Sequence, residues 1–256
     1  MKKPHATDDY FADNFLWPNW HSAKRVKACV STRLGGYSLP PYDSMNLGLH
    51  VGDDEDRVMK NRAELRKQLK LPAEPAWLEQ MHGNNVVVVE QTTFPCQADA
   101  AISFEAGRVC TVMVADCLPI LFCDRRATRV GVAHAGWRGL AAGIIENTVS
   151  ALDCDPAQLY AFLGPAIGPH AYTVGDAVRD TFLSANDSYA LCFLPDNCGA
   201  WTANLSPPAR LKLNDAGVRD ISGGLHCTYY DRKHFFSHRR DTNSGRMAAL
   251  IYLEPT

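Results

Sequence analysis

Several features are missing from this sequence, and each absence removes a class of function. No run of about 18 apolar residues occurs, so no segment reads as a membrane-crossing helix. No Lys/Arg-rich block or acidic tail is present, and 26 Lys+Arg stand against 28 Asp+Glu, which speaks against a polyanionic partner such as nucleic acid. No CxxC or HExxH motif appears, and no HxH pair, so none of the common short metal signatures is available. No internal repeat or low-complexity tract interrupts the chain. The opening "MKKPHATDDYFADNFLWPNW" places Asp, Pro and His where an export signal needs an unbroken apolar stretch, so the expected location is cytoplasmic.

What remains is the profile of an ordinary globular protein of 256 residues, 46% hydrophobic and 21% charged. Nine cysteines are present, an odd number, and several lie inside apolar runs. Without an export signal they read as reduced thiols, mostly buried.

Strand patterns dominate the middle of the chain. "VKACVS" (26–31) reads as a strand and 32–48 as a long Gly/Pro-punctuated loop. A charged amphipathic helix is expected over 53–69, with Val58, Leu65 and Leu69 facing inward. Closely spaced strand candidates follow at 86–90, 100–103, 109–115, 119–124 and 129–135. A helix is expected over 139–152, then a strand at 159–164 and the turn "GPAIGP". Further helices open near Gly175–Asp176 and after "NLSPP", and 246–253 reads as a final buried strand. Strands cluster without regular βαβ alternation, so the expected class is α+β. One domain is expected, with a central mixed sheet or sheet sandwich flanked by helices.

Three polar breaks stand out against the apolar strands. "QMHGNNVVVV" puts His82 before a strand, "ADCLPILF" puts Cys117 between two apolar runs, and "GVAHAGWRG" puts His134 at a strand end. Breaks at the same end of adjacent strands bring their side chains together. Two imidazoles and a thiolate then make a three-ligand zinc site with one open position, the catalytic pattern. The plain alternative is that Cys117 is a small core residue and each histidine a hydrogen-bonded one. A third reading makes Cys117 a nucleophile with His134 as its base.

The segment "GWRG" falls where a strand turns into a helix. Helix-start N–H groups and the forked cation of Arg138 suit phosphate or carboxylate. The alternative has Trp137 plugging the core and Arg138 paired with a surface acid. Arg33, leading the glycine loop "RLGG", and His50, in "NLGLHVGDD", are further candidates for an anion. "HFFSHRRD" supplies His234 and His238, which are left out of the metal site because the intervening Phe-Phe fits a strand as well as a helix.

Taken in order, "STRLGGYS", "NLGLHVGDD", "QMHGNNV", "ADCLPILF", "AHAGWRG", "GPAIGP" and "FFSHRRDTNSGRMA" resemble the YfiH family. Its members are also called laccase-domain or multicopper polyphenol oxidoreductase proteins, and purine nucleoside phosphorylases. The likeness runs from about residue 26 to the C-terminus, leaving 1–25 as a variable N-terminal segment and 26–256 as one catalytic domain. It implies an α+β fold shared with cysteine-hydrolase-like toxin domains. It implies zinc on His82, Cys117 and His134, phosphorolysis of adenosine, inosine, guanosine and methylthioadenosine, and deamination of adenosine. Purine nucleosides and phosphate are the partners so implied, with Arg138, Arg33 and His50 as candidates to hold them. Copper, suggested by the older label, would need many clustered histidines, whereas the nine here are dispersed. A cysteine-type amide or ester hydrolase using Cys117 and His134 is the other alternative.

Overall fold

The computed structural model describes residues 9–20, 24–196 and 199–255. Two β-sheets packed face to face form its centre. Their strands, in chain order, are β1 (Tyr10–Ala12), β2 (Phe15–Trp17), β3 (Val26–Ser31), β4 (Val86–Val88), β5 (Ala100–Ser103) and β6 (Cys110–Val114). They continue with β7 (Leu118–Asp124), β8 (Val130–Ala135), β9 (Leu159–Leu163), β10 (Asp220–Gly223) and β11 (Met247–Leu253). The first sheet runs β1-β2-β3-β11-β6 and is antiparallel throughout. The second runs β10-β9-β7-β8-β5-β4 and is mixed, with parallel pairs at both edges.

Alternation along each strand explains the layering. In β7, Leu118, Ile120 and Phe122 face the helical side, whereas Leu121 and Cys123 face the first sheet. In β11, Met247, Ala249 and Ile251 fill the space between sheets, while Ala248, Leu250 and Tyr252 face the opposite way. Strands covered on both faces must be apolar at every position, and this is why "LPILFC" and "MAALIYL" read as continuous runs. Each fully buried Leu, Ile or Phe contributes about 1.5–3 kcal/mol.

Helix α1 (Glu55–Leu69) covers the first sheet through Val58 and Leu65, with Leu69 partly buried. It starts at Glu55 because the Asp54 side chain accepts the Arg57 N–H and caps it there. The second sheet is covered by α2 (Trp137–Ala142), α3 (Ile144–Ala151), α4 (Asp176–Leu183) and α5 (Ser206–Asp215). The expected single helix over 139–152 is corrected to two. Gly143 adopts φ +93°, its N–H closes on the Gly139 and Leu140 carbonyls, and the chain restarts at Ile144. The expected strand 86–90 ends at Val88, where Val89–Gln91 turn into a 3-10 helix. Within the segment 1–25, β1 and β2 form the edge hairpin of the first sheet. Among the described residues no helix is long and apolar enough to cross a membrane.

Register decides what meets at the edge of the second sheet. β7 and β8 pair antiparallel with Ala135 opposite Leu118, so the end of β8 lies beside the start of β7. β5 pairs antiparallel with β8, and β4 parallel with β5, which brings the starts of β4 and β5 to the same end.

Candidate metal centre and cleft

That shared end collects four polar residues. His82 precedes β4, Asp99 precedes β5, Cys117 precedes β7, and His134 lies at the end of β8. One donor atom from each of His82, Cys117 and His134 lies within 4.8 Å of the others. The two imidazoles meet edge to face with centroids 4.8 Å apart.

Unusual backbone places two of these groups. His82 has φ +58° and Asp116, next to Cys117, has φ +89°. Such conformations cost a non-glycine residue about 1–3 kcal/mol and persist only where neighbours hold them. Asp99 holds the first: its carboxylate accepts the backbone N–H groups of Met81, His82 and Gly83 at 3.2, 2.9 and 2.7 Å. Asp116 turns the chain from the first sheet into the second. Its carboxylate accepts the Thr228 hydroxyl at 2.6 Å and the Arg239 N–H at 2.7 Å.

Asp99 has a second task. It pairs with His134 Nδ1 at 2.8 Å, which fixes the ring and leaves Nε2 as the free donor. Electrostatics follow from this packing. Burial pushes the Cys117 thiol up, but His134 and His82 outweigh it and bring its pKa down to about 6. Burial pushes His134 down, but Cys117 and Asp99 outweigh it and raise the pKa to about 9. Each group thus favours the charged form of the other.

The donors fit a metal ion. A Cβ added at Gly136 would stand 3.0 Å from Cys117 Sγ and 3.1 Å from His82 Nδ1, so glycine keeps the space over the donors clear. One thiolate and two imidazoles are the borderline set that Zn²⁺ and copper accept, and three protein donors leave further coordination to a ligand.

These residues form part of the wall of a cleft of about 920 Å³. Trp77, Trp137 and Tyr172 give it aromatic surface. Arg62, Arg138, Arg239 and Arg246 give it positive charge, with His50 and His238 beside them. Burial, partly offset by Arg239 and Arg138, pushes the Tyr172 phenol up to about 12.

The structure thus brings His82, Cys117, His134, Arg138 and His50 to one cleft, and it does not bring Arg33 there. The Arg33 guanidinium is held by Asp43, donating to its carbonyl at 2.8 Å and its carboxylate at 3.2 Å, and it covers the Phe236 ring. Arg33 clamps the glycine loop. Arg138 is exposed in the first turn of a helix of only six residues, its guanidinium over Trp137 at 4.4 Å. The helix start expected near Gly139 lies at Trp137, so Arg138 stands within the first turn and not before it. His234 pairs with Asp231 and stacks on Phe11, away from the metal donors, whereas His238 lines the cleft.

Sequence reasoning missed Asp99, Arg62, Trp77, Tyr172 and Arg246. Asp99 carries a usable signal, a lone acid directly before the apolar strand "AAIS". Arg62 carries another, since it shares the inward stripe of α1 with Val58 and Leu65.

The family described as multi-copper polyphenol oxidoreductase laccase matches residues 27–254. Purine nucleoside phosphorylase YfiH of Escherichia coli strain K12 is 48% identical over 237 residues, 92% of this chain and 97% of that protein. A purine nucleoside phosphorylase of Haemophilus influenzae is 42% identical over 239 residues, 93% of this chain and 98% of that protein. A Neisseria meningitidis crystal structure superimposes with TM-score 0.91 at 44% identity, covering 95% of this chain and all of that one. YlmD from Geobacillus stearothermophilus gives TM-score 0.91 at 34% identity over 98% of this chain and all of that one. The chain belongs to the YfiH family, whose members carry the multi-copper polyphenol oxidoreductase laccase description.

Proposed function

We propose that residues 26–256 form the catalytic domain of a zinc-dependent purine nucleoside phosphorylase. Its substrates are adenosine, inosine, guanosine and methylthioadenosine, cleaved with phosphate to the base and ribose 1-phosphate or the methylthio sugar phosphate. Deamination of adenosine to inosine is a second activity of the same site. One observation carries the reading: a three-donor His-Cys-His set opens into a cation-rich, aromatic cleft of about 920 Å³. Relatives 48% and 42% identical to this chain are named purine nucleoside phosphorylases.

In phosphorolysis the C1′–N9 bond breaks and a C1′–O bond to phosphate forms. The base leaves with the electron pair and takes up a proton. A bound zinc would supply Lewis acidity at His82, Cys117 and His134. The chain's own groups do the rest. Asp99 keeps His134 oriented, so the donor set holds its shape. Trp77, Trp137 and Tyr172 offer flat surfaces to the purine. Cationic side chains bind the phosphate dianion and hold it against the sugar, the main contribution available to a phosphoryl nucleophile. Tyr172 keeps its proton across neutral pH and can donate a hydrogen bond. Arg138 adds positive charge at an exposed position.

Copper fits the same donors. Several coppers do not, because a single three-donor cluster occurs among the described residues. The eight described cysteines are free, and Cys198 lies outside the described residues, which supports a reducing cytoplasmic setting. Small molecules are the proposed partners, with no role assigned to nucleic acid or membranes.

A second reading has its own observation. Cys117, His134 and Asp99 stand in the order nucleophile, base and orienting acid, which suits a cysteine-type amide or ester hydrolase. One experiment separates the two. Zinc-loaded protein is incubated with adenosine, with and without phosphate, and the products are resolved by chromatography and mass. Phosphate-dependent adenine with ribose 1-phosphate, or phosphate-independent inosine, is expected. If zinc-loaded protein yields neither, the purine reading falls and the hydrolase reading takes its place.

A further inference from the structure

We propose that Arg62, Arg246 and His50 form the subsite that holds inorganic phosphate, resting on the phosphorylase reading above. A guanidinium taken out of water must be compensated, normally by a carboxylate. Arg62 is only 8% exposed, yet it makes no ion pair among the described residues. Its Nε and Nη2 donate to the Leu47 carbonyl at 3.0 and 2.9 Å, and its plane covers Trp77 at 3.9 Å. Its Nη1 makes no hydrogen bond among the described residues, and the side chain lines the cleft. Arg246 is similar. Its Nη1 donates to the Ser244 and Gly245 carbonyls at 2.8 and 3.1 Å, no carboxylate pairs with it among the described residues, and it lines the same cleft.

A single short segment, residues 47–50, gathers all three groups. Arg62 grips Leu47. Arg246 and His50 pack around Gly48, where an added Cβ would come within 2.9 Å of Arg246 Cγ and 3.4 Å of His50 Cε1. The segment is rigidly tied. Buried Asn46 accepts the Gly48 and Arg246 N–H groups, each at 2.9 Å, and the Leu47 N–H donates to the Arg246 carbonyl at 3.0 Å. The three side chains also sense one another: after burial, Arg246 and Arg62 are what push the His50 pKa down. Two guanidinium groups with no carboxylate at ion-pair distance among the described residues, Glu74 and Asp116 acting on them only from farther off, are fixed on one scaffold and face one cleft, and they match a compact oxyanion. Arg246 lines the cleft together with Cys117 and Asp116, so the subsite adjoins the metal donors. Arg138 has no comparable scaffold, and the Arg239 guanidinium donates to the Thr173 carbonyl.

The test uses zinc-loaded full chain and inorganic phosphate. Calorimetry without nucleoside gives the phosphate Kd, and turnover of adenosine gives the phosphate KM. Arg246→Gln is expected to raise both by about tenfold or more, with zinc content and nucleoside KM unchanged within about twofold. Should Arg246→Gln fail to fold, Arg62→Lys and His50→Ala carry the test, each expected to weaken phosphate binding severalfold. An unchanged phosphate Kd in the folded variants overturns the subsite, even where the wild type phosphorolyses adenosine. Binding of adenosine 5′-monophosphate but not inorganic phosphate by the wild type also overturns it. A wild type that binds phosphate but turns over no nucleoside, with variants that lose binding, keeps the subsite and removes the phosphorylase reading.

Discussion

Cys117 and His134 stand at strand ends of one sheet with His82 in the turn leading into a third strand, whereas Arg62, Arg246 and His50 come from a helix, the residue before the last strand and a 3-10 turn of the opposite layer. In the first group Cys117 and His134 are placed by register, and His82 by the Asp99 carboxylate that holds its turn. Once β7 pairs with β8 and β5 with β8, little freedom is left in where Cys117 and His134 fall. The second group is placed by hydrogen bonds onto a loop, which Asn46 ties to the approach to the last strand. The difference matters chemically. A metal tolerates only small errors in donor position, and paired strands supply that precision. An anion is held by charge and several donors, so a less regular scaffold serves.

If register alone made the metal site, removing a donor would leave the fold and end the chemistry. Cys117→Ala should keep far-UV circular dichroism and melting close to wild type. It should lose stoichiometric zinc and reduce turnover to background. Retained zinc with retained activity would remove the metal site altogether. Asp99→Asn should be milder, about 10–100-fold in metal affinity or activity. The two Asp99 oxygens accept three backbone N–H groups and His134 Nδ1, and an amide nitrogen in place of one oxygen would face donors with a donor. Equilibrium dialysis with zinc measures this; an unchanged affinity would mean that register fixes the donors without help.

The same division explains what was legible in the sequence. His82, Cys117 and His134 each break an apolar run, and the sheet then needs only neighbouring strands to unite them. Asp99 has that signature too, but an acid before a strand is common in turns and carries no metal association of its own. Arg62 is masked by the charged face of "EDRVMKNRAELRKQL", where Arg57 and Arg66 look alike until burial separates them. Arg33 misled because its partner Asp43 lies in an irregular loop, whose path has no periodicity to read. The α+β class and the helix-flanked sheets followed from apolar strand runs clustered at the centre without regular βαβ alternation. The break at Gly143 did not, since a glycine within an apolar helical pattern is compatible with either continuation or a cap.

A smaller effect probes the electrostatics of the metal end. With zinc removed, the Cys117 thiol has a pKa near 6, held there by His134 and His82 against burial. Its alkylation by iodoacetamide at pH 7 should exceed that of an ordinary cysteine, which is only a few per cent thiolate, by on the order of tenfold. The rate should fall as pH drops through about 6, because the thiolate is then protonated. Zinc should suppress the reaction. Rapid alkylation in fully zinc-loaded protein would favour the cysteine-hydrolase reading instead.

The smallest effect is expected at Arg138, and it bears most directly on the contrast between scaffolds. This guanidinium is exposed and rests on Trp137, so its charge is screened by water and salt. Arg138→Ala should raise the phosphate KM only about two- to threefold at low ionic strength, and the difference should fade as salt is added. Arg246→Gln, acting through a half-buried group fixed by carbonyls, should keep most of its effect in the same titration. If Arg138→Ala instead proves the more damaging of the two, and salt leaves its effect intact, phosphate sits at the start of α2. The strand-end layer would then hold both the metal and the anion, and the opposite layer would only close the cleft.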